Sequence, residues 1–198
     1  MVSVLFFFFI NIKKYNLYNM VQLILACVAI GIFIVYNAVI MGIFGMLPSL
    51  SDSYYYLNNK WPGSGIAFQI MMLIVSGLLL YPWMYAGIII SSWSVYLGIL
   101  PFATCVLLMF VAAAPNFRQD FYTCETHMIC AKVAAGTALA WVAAACWQIA
   151  YIIPAWLGLC WFIAWVTKTM KSGRDWWWEM CAFGPTFTAI ITELAMHL

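Results

Sequence analysis

Residues 65–114 form a run of 50 positions without one charged side chain. A helix needs about 20 apolar residues to cross about 30 Å of hydrocarbon. The run is therefore two crossings long and must turn back, and Ser91 and Ser92 are the expected turn. Residues 128–167 repeat the pattern over 40 positions, with Lys132 as the sole charge and a tight turn expected at Trp147 and Gln148. Across the chain, 67% of residues are hydrophobic and 7% charged. Eight basic and six acidic side chains cannot cover a soluble chain of 198 residues. The solvent that suits this chain is a bilayer. Its unbroken apolar blocks are helical, because barrel strands alternate apolar with polar residues.

The expected fold is all-α: a polytopic transmembrane helical bundle of about six spans in one domain over residues 20–198. The spans fall at about 21–46, 65–88, 93–114, 128–147, 150–167 and 178–196. Leu47 and Pro48 close the first, and Gly184 and Pro185 should kink the last. Residues 1–19 are set apart as an N-terminal extension. Their lysines, Lys13 and Lys14, follow the apolar stretch rather than precede it, which is not the order of a secretory signal. They read either as an interfacial helix or as sequence upstream of a natural start at Met20.

Lys and Arg set the orientation. Lys60, Arg118, Lys168, Lys171 and Arg174 fall in the loops after spans one, three and five, with Lys132 close by; Lys13 and Lys14 alone lie on the other side. The expectation is a multi-pass protein of the cell (inner) membrane, with polar loops cytoplasmic and both termini outside. Trp61, Trp93, Trp147 and Trp176 to Trp178 mark span ends, whereas Trp141, Trp156 and Trp161 are expected between helices. Gly136, Ala140 and Ala144 recur every four residues and form a small-residue face, for packing in the bundle or for a homo- or hetero-oligomer.

Several residue groups carry chemistry worth weighing. Cys124, His127 and Cys130 lie at i, i+3 and i+6, within about 120° of one helical face, and thiolate with imidazole suits zinc. Ligands six residues apart on a straight helix stand about 9 Å apart along its axis, too far for one ion, so the helix would have to begin inside the motif. Asp120, Glu125 and His127 are candidate acid–base residues at a membrane mouth, with solvated loop residues as the plain alternative. Ser51, Asp52 and Arg118 are candidate ligand-binding residues, in a hydroxyl-rich loop that runs from Pro48 to Tyr56. Glu193, four residues before His197, is a candidate because ionisable groups inside a span are rare.

No GxSxG elbow, P-loop, HExxH or dinucleotide fingerprint occurs, and the net charge of +2 gives no footprint for nucleic acid. Seven scattered cysteines imply no disulfide framework. No cofactor is expected, and the expected partners are membrane lipids. Pro48, Ser49 and Ser51, then Ala113, Ala114, Pro115 and Phe117, then His127 and Ala131 form short motifs. On these the chain resembles small six-span membrane proteins of bacteria and phages, and is similar to the Frag/DRAM-type six-helix group. That likeness implies topology and carries over no catalytic residue. The leading expectation is non-enzymatic binding of a lipid or small molecule, or a partner-subunit role. The alternatives are a small transporter or channel, and a lipid-modifying enzyme with an Asp/Glu/His site.

Overall fold

The structure is a computed structural model that describes residues 2–89, 97–114 and 121–198, with side chains from residue 17 onward except at 88 and 89. The described residues are helical, without a strand. Seven α-helices follow in order: α1 (Val2–Phe44), α2 (Ser53–Lys60), α3 (Ile66–Ile89), α4 (Ile99–Ala113), α5 (Phe121–Ala145), α6 (Ile152–Val166) and α7 (Arg174–Met196). A single 3-10 turn, Trp147–Ile149, joins α5 to α6, at the place expected for the tight turn. Four stretches are long and apolar enough to cross a membrane: Leu17–Phe44, Ile66–Gly87, Phe121–Ala145 and Trp147–Val166. The turn expected at Ser91 and Ser92 lies outside the described residues.

Helices overrun the apolar blocks in three places. α1 continues unbroken from residues 2–19 into the first block. The polar segment after it, read as loop, forms α2. α5 starts at Phe121, before Cys124, rather than near residue 128. Polar residues mark where hydrocarbon ends, whereas backbone hydrogen bonding carries a helix further into the polar layer.

Five helices close a ring. α1 packs on α3, α3 on α4, α4 on α5, α5 on α7, and α7 back on α1, while α6 leans on α7 from outside. The inward face of α1 carries Ala26, Ala29, Phe33, Asn37 and Ile40, a helical repeat of three and four. Small residues let the backbones approach closely: Ala26 and Ala29 on α1, Ala134 and Ala138 on α5, Ala182 and Ala189 on α7. Between α3 and α5 the rings of Trp83 and Trp141 meet edge to face, with centroids 5.6 Å apart. Phe33 of α1 meets Phe183 and Phe187 of α7 at 4.7 and 5.2 Å.

The small-residue face does not serve the bundle. Gly136, Ala140 and Ala144 point outward, and a Cβ built at Gly136 meets nothing within 4 Å. Ala134, Ala138, Trp141, Val142 and Ala145 form the buried face instead. Gly184 is the glycine that does set a close approach. A Cβ there would stand 2.5 Å from the Trp156 ring, so its absence lets α6 lie on α7, where the Trp156 indole N–H donates to Thr188 Oγ1 at 3.0 Å. Trp161 departs from its expected burial and is about half exposed, and Trp176 is buried rather than interfacial.

Candidate functional site

The site begins with the end of α1. Gly45 takes a left-handed φ of 73°, and its N–H donates to Met41 O at 2.9 Å. This closure favours glycine, since a Cβ is strained in that region. The chain then folds back under the ring, where Leu47 and Leu50 are buried. Two bonds pin this loop to α7: Trp176 N–H donates to Pro48 O at 2.9 Å, and Leu50 N–H donates to Glu179 Oε2 at 2.7 Å. The loop delivers Ser51, Asp52 and Ser53 in buried positions. Tyr36 of α1 shares a 2.8 Å hydrogen bond with Ser53.

His127 reaches the same place from the second turn of α5 and is buried. Its Nδ1 lies 3.0 Å from Ala114 O and its Nε2 lies 3.0 Å from Ser51 Oγ. A carbonyl oxygen can only accept, so Nδ1 carries the ring proton. In the neutral ring Nε2 is then a lone pair, and the Ser51 hydroxyl donates to it. One imidazole thus ties together the end of α4, the loop after α1 and the start of α5.

Two hollows meet at this cluster, and a third adjoins the inner one. A polar cleft of about 570 Å³ is lined by Ser51, Asp52, His127, Lys132, Asp175 and Glu179, among others. Inside the ring lies an apolar cavity of about 70 Å³, several times the space one water needs. Its walls include Phe68, Leu79, Trp83, Leu108 and Ala138, and it shares Ser51, Ala131, Ala135 and Glu179 with the cleft. A third hollow, an apolar groove of about 670 Å³, runs between α1, α6 and α7 and shares Phe33, Phe183 and Phe187 with the cavity.

The sequence candidates divide between this cluster and other places. Ser51, Asp52 and His127 come together here, but Glu125 faces outward on the exposed side of α5. Arg118 and Asp120 lie outside the described residues. Because α5 begins before Cys124, the condition that one ion required is not met: Cys124 and Cys130 stand about 9 Å apart along the axis. Both thiols are half-buried, and no group of three His, Cys, Asp or Glu suited to a metal gathers among the described residues. Glu193 belongs to the opposite end of the ring, where its carboxyl meets the Cys146 thiol. There His197 Nδ1 lies 2.8 Å from Glu193 O, and Asn19 Nδ2 donates to His197 O at 2.6 Å. Glu179 and His197, the residue that caps α7, are 18 positions apart, about 27 Å at helical rise, so the two polar ends are distinct.

Glu179 is the site residue that sequence reasoning missed. In the sequence it stands at the start of the sixth expected span, 178–196, where it is not singled out. The signal was a stripe at three- and four-residue spacing, Trp176, Glu179, Ala182, Thr186, Ala189 and Glu193, whose other members are all buried. Searches against protein-family models, curated proteins and solved structures match nothing to this chain.

Proposed function

We propose that the chain is a multi-pass integral membrane protein of six crossings that takes one amphipathic lipid out of the bilayer. The tail enters from the groove, passes Phe33, Phe183 and Phe187, and lies in the central cavity, while the head occupies the cleft at Ser51, Asp52, His127, Lys132 and Glu179. The observation that carries this reading is that three hollows adjoin through shared wall residues, apolar at one end and polar at the other. Asp52 and Asp175 in the cleft oppose a strongly anionic head, whereas hydroxyl, amide or zwitterionic heads find both donors and acceptors there.

The four apolar stretches, with α7 and the segment that contains α4, supply the six crossings. Lys171 and Arg174 lie beside Pro48 at the cleft end, and Lys132 lines the cleft itself. Basic residues at that end favour placing it in the cytoplasm. A channel is disfavoured because the lumen wall is almost wholly apolar, with no file of polar groups for an ion.

Filling the cavity tests the binding reading. Ala138 lines it from α5, and Ala138→Trp places an indole where the tail lies. The expected result is a drop of tenfold or more in lipid extracted per mole of purified protein, measured by mass spectrometry. Equal lipid in both proteins contradicts the assignment.

A further inference from the structure

Ser51 stands where the polar cleft and the apolar cavity meet, and its hydroxyl donates to an imidazole whose other nitrogen is engaged by a backbone carbonyl. A nucleophile hydrogen-bonded to a base that a third group orients is the arrangement that activates serine. The position adds to the argument. In an amphiphile with an ester between head and tail, the carbonyl carbon lies at the boundary of polar and apolar parts, and Ser51 lines both sides of that boundary.

We propose that Ser51 is a nucleophile and His127 its general base, for acyl transfer from an amphipathic carboxylic ester; this rests on the lipid-binding reading above. Ser51 Oγ forms a bond to the ester carbonyl carbon, and its proton passes to His127 Nε2. The tetrahedral adduct collapses by breaking the bond to the alcohol oxygen, which takes that proton and leaves as the head-group alcohol. Water then attacks the acyl-serine, gives its proton to Nε2, and releases the carboxylic acid as Ser51 Oγ takes the proton back. Lys132, lining the same cleft, supplies the positive charge available to the oxyanion. Glu179 is a positioning residue: by accepting from Leu50 N–H it fixes the backbone one residue before Ser51.

The test is covalent labelling of the full chain in detergent micelles by a long-chain alkyl fluorophosphonate, whose fluoride leaves as Ser51 Oγ bonds to phosphorus. The expected result is one adduct per chain on the Ser51 peptide, absent in Ser51→Ala, retained in Ser53→Ala, and formed at least tenfold more slowly in folded His127→Gln. Ser51→Ala removes one oxygen and should stay helical and monodisperse, so that a missing adduct reports the missing hydroxyl. No adduct on Ser51 in the unmodified protein, or an adduct on Ser49 or Ser53 instead, overturns the proposal. A rate unchanged by His127→Gln overturns the assignment of the base. Lipid that copurifies without labelling leaves the binding reading standing and removes the chemistry, whereas loss of both removes both.

Discussion

Trp141→Ala is expected to lower the thermal midpoint of the detergent-solubilised protein by on the order of 10 °C. Trp141 has no exposed surface, and its ring meets Trp83 across the seam between α3 and α5. In a membrane the hydrophobic transfer term between helices is small, so stability rests on close packing. A hole the size of an indole, in an interior that relaxes only partly, costs about 3–5 kcal/mol. At about 2–4 °C per kcal/mol for a chain of this size, the shift follows. The indole N–H groups of Trp83 and Trp141 are both buried without a hydrogen-bond partner. Trp141→Phe keeps most of the ring contact and removes one unsatisfied donor, so its midpoint should stay within a few degrees of the parent. A Trp141→Ala midpoint within 2 °C of the parent contradicts the ring packing described for α3, α4 and α5.

His127→Leu is the second large expectation, and it acts on three elements at once. Leucine fills a similar volume but cannot reach Ala114 O or Ser51 Oγ, leaving a part-buried carbonyl and a buried hydroxyl without the imidazole. Each polar group left unmade costs about 1–3 kcal/mol, so the two together should cost about 2–6 kcal/mol. The midpoint should fall by several degrees, and copurifying lipid should drop with it as the loop carrying Ser51 loosens. His127→Gln, whose amide can keep one of the two bonds, should recover part of the stability. A leucine variant as stable as the parent and as rich in lipid contradicts the role given to this residue.

The sequence showed the helical class through run lengths alone, because double blocks such as 128–167 have one economical solution in hydrocarbon, a turn at Trp147. It did not show which side of a helix faces inward when both sides are small. On α5 the row of Gly136, Ala140 and Ala144 is as smooth as the row of Ala134, Ala138 and Ala145, and the choice between them is made by what α4 and α7 offer opposite. Polar residues suggest loop, yet Tyr54, Lys60 and Glu125 sit on helices that run beyond the apolar core. The site was legible in parts. Ser51, Asp52 and His127 stood out by residue type, but Ser51 and His127 are 76 positions apart and only the closure of the ring joins them. Glu179 stands between Trp178 and Met180 at the edge of the last expected span, although its place in the buried stripe of α7 was written in the spacing.

All of this depends on α7 and its neighbours crossing the bilayer, which puts the cleft end and the His197 end on opposite faces. Lys60, at the cleft end, and His197 are both exposed, so a cysteine at either position is open to a membrane-impermeant maleimide. In sealed vesicles, with the parent chain as background, Lys60→Cys and His197→Cys should be labelled from opposite sides. Labelling of both from the same side contradicts the account.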